Sequence, residues 1–325
     1  MEDMGKQKKN LLFRGIPDIP HISRRKLFVG ILILIVVLIG WGIFTADKHL
    51  VGDYYVNDKG EVYAKGDGFV YGDNVLSGVD AETFAIIDNS AYVKDKNAIF
   101  VVLRNGAGRW VSRVDDADMS SFVGAGWWFG KDINHVFFKG RVVVGADSST
   151  FSAVGDRGYA KDKQHAFFED RILSDRPNSL RLILQESNES LSFYHYATDG
   201  VQVFLNGDDI KGADPTTFGL PFGRAATLAR DSHSIYFNGT KVDGADVESF
   251  AVLPMPLYYQ SRGYAKDSHH VYFSGYDFKS NPCANKLCVL ETADPKTFVL
   301  DVTKGHDAKD ASHYFYNGNV VTNEE

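Results

Sequence analysis

Cysteine is almost absent from this chain: Cys283 and Cys288 are the only two in 325 residues. That excludes a disulfide-dense scaffold and a four-cysteine zinc site. With four residues between them, the pair is not a redox C-x-x-C motif either. The stretch Asn281 to Cys288 reads as a loop closed by a local disulfide, which an extracytoplasmic location permits, with free thiols as the alternative. No Walker loop, dinucleotide fingerprint or Gly-x-Ser-x-Gly elbow occurs. Gly124-Ala125-Gly126-Trp127-Trp128-Phe129 carries glycines, but it leads into a strand pattern, the wrong context for a phosphate cradle.

Charge of one sign is scarce where it would matter. Residues 47–325 hold 28 basic and 39 acidic side chains, a net −11, which makes them a poor partner for nucleic acid. Residues 1–26 are the reverse, with seven Lys or Arg against three acids. Between them lies the one long stretch without charge, 27–46, in which Ile31 through Ile39 is unbroken Ile, Leu and Val. Twenty helical residues reach roughly 30 Å, the thickness of a hydrocarbon core. The expectation is a basic cytoplasmic tail (1–26), a single-pass transmembrane helix (27–46) and an extracytoplasmic domain (47–325), oriented by the positive-inside rule. A cleavable signal peptide is the rival, but the apolar run is long for one and Phe44 spoils the small-x-small pattern before Ala46.

What the chain has in abundance is repetition. Asp58, Asp95, Asp132, Asp162, Asp199, Asp231, Asp267 and Asp310 stand 30 to 43 residues apart, a period typical of solenoids and propellers. Five residues after each comes an aromatic: Tyr63, Phe100, Phe137, Phe167, Phe204, Tyr236, Tyr272 and Phe315. Short runs such as Val271-Tyr272-Phe273 suit half-buried strands. Asn206-Gly207, Asn238-Gly239 and Asn317-Gly318 tolerate positive φ and signal hairpins. Each unit therefore reads as a β-hairpin or small meander.

The second half of the unit is Gly-Ala-Asp-x-x-Thr/Ser-Phe, with Asp80, Asp118, Asp147, Asp214, Asp246 and Asp294 each four residues before a Phe. Asp-Pro at 214–215 and 294–295 is what a helix N-cap and first position prefer. The spacing predicts one helical turn that drops its Phe into the core. The fourth unit has Ser174-Asp175-Arg176-Pro177 instead, which puts its cap in doubt. A lone hairpin cannot bury its apolar face, so the units must stack. Aromatics at 13% of the chain supply the shared core; a sugar-stacking platform would be local rather than repeated in fixed register.

Six histidines (His135, His165, His233, His269, His270, His313) fall in the loop just after the Asp. A row of such loops would offer His and Asp ligands to a divalent cation, but the recurrence of Asp-x-x-His at 30- to 43-residue intervals argues for a turn role common to the units. The turns lack the spaced acids and final Glu of an EF-hand. Lys94, Lys131, Lys161, Arg230, Lys266 and Lys309, beside the Asp, read as a solvated strand face rather than a ligand clamp.

Tyr92-Val93-Lys94-Asp95-Lys96-Asn97 and the run from Tyr264 to Gly275, with the Gly-Ala-Asp-x-x-Thr-Phe segments, resemble the repeats of the DKNYY family over about 54–321. The resemblance implies bacterial proteins that are exported or membrane-anchored and of undefined activity, and it brings no catalytic residues. The expected fold is all-β, about eight hairpin or meander repeats in a solenoid-like stack, with a β-propeller as the alternative. The expected role is a binding or scaffolding surface for an envelope protein or glycan, without catalysis, metal or cofactor. An envelope hydrolase is the alternative, its site placed where units break pattern: Asn105–Arg113, Arg176–Tyr196 or the cysteine loop Gly275–Lys286.

Overall fold

The computed structural model describes residues 47–65, 74–105, 108–184, 195–222, 227–254, 263–275, 283, 286–303 and 305–321. The predicted tail and span, 1–26 and 27–46, lie outside these residues. Among those described, no helix is long and apolar enough to cross a membrane. The chain forms eight small antiparallel sheets, and its one helical element among the described residues is a 3-10 turn, Pro177–Ser179. It divides into two compact bodies, Met1–Glu82 with Asn105–Arg109, and Thr83–Arg104 with Trp110–Glu325.

The first body holds sheet 1, from strands Lys48–Val51, Tyr54–Val56 and Val62–Ala64. Its register pairs Tyr54 with Ala64, Tyr55 with Tyr63 and Val56 with Val62. This unit corrects the sequence register. The turn is organised by Asn57, whose Oδ1 accepts the backbone N–H groups of Lys59 and Glu61, while Asp58 is exposed. The loop is one residue longer than elsewhere, so the shared aspartate position is off by one here.

Sheet 2 begins at Ala85–Ile86 and ends in a long hairpin, Ile99–Asn105 and Gly108–Arg113. Sheets 3 to 8 follow at 123–142, 152–174, 181–209, 228–241, 251–289 and 299–321. Sheet 3 shows the common plan: Val123–Gly124, Phe129–Lys131, Val136–Phe138 and Arg141–Val142 in simple meander order. The hairpin tips at Lys139-Gly140, Asn206-Gly207, Asn238-Gly239 and Asn317-Gly318 have positive φ at both residues, as two-residue hairpin turns require. The tetrapeptides predicted to be helical are single turns, closed by Phe151, Phe218 and Phe298 N–H donating to Asp147, Asp214 and Asp294 carbonyls.

That turn carries the chain from one sheet to the next and delivers its Phe as a wedge. Phe122, Phe151, Phe218, Phe250 and Phe298 are all buried. Each meets the aromatic of the following sheet, with ring centroids 5.6, 5.8, 5.5, 5.5 and 5.3 Å from Phe137, Phe167, Tyr236, Tyr272 and Phe315. Tyr92, Phe129, Tyr196 and Tyr264 of the preceding sheet flank the wedge on its other side at 5.1 to 5.8 Å. The recurring rings are core, not a sugar platform. The wedge needs room: a Cβ on Gly130 would lie 2.4 Å from Phe122 Cζ, and Ala160, Ala197, Ala229, Ala265 and Ala308 hold the same register position. Six core clusters result, each joining one sheet of the second body to the next in the chain. Burying a Phe contributes roughly 1.5–3 kcal/mol, so each wedge is a sizeable apolar contribution to holding its two sheets together.

Candidate functional site

The repeated aspartates are the obvious chemical groups, and the structure spends them internally. Asp95, Asp132, Asp162, Asp199, Asp231 and Asp267 are buried. In Asp231, Oδ1 accepts the N–H groups of His233 (2.8 Å) and Ser234 (2.7 Å), closing its own turn. Its Oδ2 accepts the Asp214 N–H (2.9 Å) from the wedge turn of the preceding unit and the Tyr236 hydroxyl (2.8 Å). Asp132, Asp162, Asp267 and Asp310 take the N–H groups of Asp118, Asp147, Asp246 and Asp294 at 2.8 to 2.9 Å in the same way. One carboxylate thus shapes its own turn and staples it to the unit before.

Burial of Asp231 and Asp267 works against ionisation, but it is outweighed by the backbone N–H and tyrosine donors, which hold both carboxyls below the usual range. Asp310 is lowered on the same balance. A second staple explains the Thr/Ser before each Phe. Thr83, Ser121, Thr150, Thr217, Ser249 and Thr297 accept the N–H of the residue that follows the next repeat aspartate, at 2.9 to 3.2 Å.

The lysines beside the aspartates are corrected by the structure at two positions. Lys131 Nζ donates to the Ser148 and Phe151 carbonyls (3.0 and 3.2 Å), and Lys266 Nζ to those of Pro295 and Phe298 (3.1 and 3.0 Å). Both ammonium groups cap the end of a wedge turn, where unpaired carbonyls favour a cation. A third link comes from tyrosine: Tyr92, Tyr159 and Tyr264 hydroxyls accept the N–H groups of Gly140, Gly207 and Gly318 in the next sheet's hairpin at 3.0 to 3.1 Å.

Histidines sit where the turn places them. His135, His270 and His313 Nδ1 lie 3.4 to 3.8 Å from their own turn's Asp Oδ1. Among the described residues, no three His, Cys, Asp or Glu side chains converge as a metal would need. Ser232 and Ser268 hydroxyls lie 2.7 and 2.9 Å from Nδ1 of His233 and His269, which superficially suggests a nucleophile and base. Ser268 Oγ, however, donates its proton to Asp246 Oδ2 at 2.8 Å. That leaves His269 without the proton to abstract, and both pairs are exposed turn neighbours.

The irregular segments divide among the elements. Of the first, Asn105 and Gly108–Arg113 belong to the strands of the long hairpin of sheet 2, with Trp110 42% exposed. In the fourth unit Arg176 stands where others have the capping Asp, and its side chain makes no cap bond to the 3-10 turn. Its guanidinium instead reaches Asp199 of the next unit through Nε at 3.0 Å and Nη2 at 2.8 Å. Residues 185–194 and most of the cysteine loop lie outside the described residues. Cys283 and Cys288 are joined as a disulfide, Cα–Cα 5.6 Å, within the usual range. One surface feature escaped the sequence reading: Trp127 is 55% exposed, edge-on to Trp128 at 6.3 Å, and Lys139 Nζ lies 5.1 Å from the Trp128 ring. Sheet 4 has Arg157-Gly158 at those positions, so the pair departs from the repeat, and the departure is legible once sheets are superposed.

No protein of curated function and no solved structure matches the chain. The DKNYY family model matches three times, over residues 42–104, 107–232 and 228–324. Those spans take in all eight sheets and the turns that link them, and the chain belongs to the DKNYY family.

Proposed function

We propose that this protein is a membrane-anchored bacterial envelope protein whose repeat domain offers a binding or scaffolding surface to a protein or glycan partner, without catalysis. In this reading residues 27–46 span the cytoplasmic membrane, 1–26 remain in the cytoplasm and 47–325 lie outside it. The observation that carries the binding role is the tryptophan pair, Trp127 and Trp128, set at a departure from the repeat and left partly open to solvent. Aromatic side chains of this kind supply large contact area at low entropic cost. The polar groups that recur in every unit support the same reading from the other side, because their hydrogen bonds are taken up in joining sheets.

The test is photocrosslinking in intact cells, with a benzophenone amino acid replacing Trp127 or, as a control, Val144, which is 77% exposed. A discrete adduct from position 127 and none from 144 is the expected result. Equal adducts from both positions, or none from either, would overturn the reading.

A further inference from the structure

Sheet 1 breaks the wedge pattern at one position. Where sheets 3 to 8 carry Gly130, Ala160, Ala197, Ala229, Ala265 and Ala308, the strand register of sheet 1 places Tyr55. In sheet 3 the small residue admits the Phe of the preceding unit, and sheet 2 carries Val93 at that position. In sheet 1 that register position carries the Tyr55 ring. It lies 5.8 Å from Tyr63, the counterpart of the wedge-contacting aromatics, and 5.0 Å from His49.

The three rings form one row straight across the sheet, because His49 pairs with Tyr55 and Tyr55 with Tyr63. Lys65 Nζ lies 5.0 Å from the Tyr55 ring. The opposite face is buried through Tyr54, Val62 and Ala64. The other face of sheet 1 therefore carries a row of rings with polar tips, His49 exposed and Tyr55 and Tyr63 half-buried, attended by an exposed lysine. Such side chains partition to the headgroup region of a bilayer, where an apolar body and a polar end are both satisfied.

The chain itself arrives on this face. Tyr63 donates its hydroxyl to Asp47 Oδ2 at 2.6 Å, and Asp47 directly follows the uncharged stretch 27–46. One residue extends about 3.6 Å at most, so a bilayer spanned by 27–46 ends beside this row. Residues 47–65 carry three lysines against four carboxylates, so the attraction is interfacial rather than a demand for anionic lipid. We propose that the His49–Tyr55–Tyr63 face of sheet 1 rests on the phospholipid headgroups and orients the ectodomain at the membrane, an inference that builds on the anchored reading above.

The experiment uses the full-length chain in phosphatidylcholine vesicles with a nitroxide on a fraction of the headgroups. Lys65→Cys, nineteen residues past the anchor, carries a bimane; the native cysteines are joined to each other and do not compete for label. Ile133→Cys, at a 73% exposed position, is the control. Loss of bimane emission at 65 and none at 133 is expected, and Tyr55→Ser should restore emission at 65 while near-UV circular dichroism stays native. Full emission at 65 in protein that resists carbonate extraction overturns this face but leaves the anchor standing. Protein released by carbonate overturns the anchor and this inference together. Equal quenching at 65 and 133 also overturns it.

Discussion

The junction between the fourth and fifth units and the junction between the fifth and sixth solve one problem with different chemistry. In both, a buried aspartate must find partners for the oxygen that faces the preceding unit. Asp231 finds the Asp214 N–H and the Tyr236 hydroxyl, both neutral donors fixed by local backbone or a core ring. Asp199 finds the Arg176 guanidinium, from a side chain that is 42% exposed, together with the Ser174 hydroxyl. The aspartate position is held while its partner is replaced. What the array needs at each joint is a satisfied carboxylate, and the identity of the donor is free to change.

The largest loss should come at the regular joint. Asp231→Ala deprives the Asp214, His233 and Ser234 N–H groups of their acceptor and leaves the Tyr236 hydroxyl only the Gly212 carbonyl at 3.3 Å. Each buried donor left without one costs about 1–3 kcal/mol, so a loss on the order of 4 kcal/mol should appear in urea unfolding. A loss under about 1 kcal/mol, the size of one ordinary hydrogen bond, would show that the staple is incidental.

Next comes the hairpin tip beside the same joints. Gly207 has φ +77°, and an added Cβ would lie 2.4 Å from Phe168 Cδ1, a ring held in the core. Gly212 has the same φ with nothing within 4 Å. Gly207→Ala should cost about 3 kcal/mol, from left-handed strain plus overpacking, and Gly212→Ala only about 1 kcal/mol from strain alone. Equal losses would mean that the close approach to Phe168 relaxes without cost.

Arg176→Ala strips one pair of donors from Asp199, whose own turn bonds from Val201 and Gln202 remain. The expected loss is about 2 kcal/mol, the range for hydrogen bonds to charged groups. Salt should narrow the gap between this variant and the parent while leaving the Asp231→Ala gap unchanged, since only the first depends on an exposed cation.

Acid should loosen both joints. Asp199, Asp231, Asp267 and Asp310 have folded-state pKa values below their ordinary value of 3.8. A depressed folded pKa contributes stability that is fully present above the unfolded value and lost as pH falls through the folded one. Urea midpoints should therefore stay level from neutrality to about pH 5 and drop below about pH 4. A midpoint that rises on acidification in that window would contradict the assigned charge states.

Much of this was written in the period of the chain. Hairpin tips, the aromatic core and the single turn ending in Phe follow from residues at fixed spacing, because local backbone preference and tertiary need coincide there. What the spacing concealed is the partner across the joint. A charged residue in a polar turn reads as solvated, yet Asp231 is buried, because its donors come from residue 214 and from backbone groups that carry no sequence signature. The first unit misled for a related reason: Asn57 performs the turn role one residue before Asp58, in a longer loop that only strand register exposes. Trp127 and Trp128 stood plainly in the sequence, but their exposure depends on which rings the wedges cover.

The finest distinction lies among the lysines. Lys131 and Lys266 each place Nζ on two carbonyls at the end of a wedge turn, whereas Lys163 pairs with the Asp147 carboxylate at 2.6 Å, its side chain 59% exposed. The capping contact joins two backbone carbonyls of the turn that positions Phe151. The exposed pair is screened by water and confines two flexible chains for little return. Lys131→Met keeps the apolar stem and removes only the donor, so its cost should be about 0.5–1 kcal/mol, the scale of a cation at a helical C-terminus. Lys163→Met should leave the urea midpoint unchanged. If the two substitutions prove indistinguishable, the ammonium of Lys131 is a bystander, and the wedge turn is held by Asp147, Thr150 and the buried ring alone.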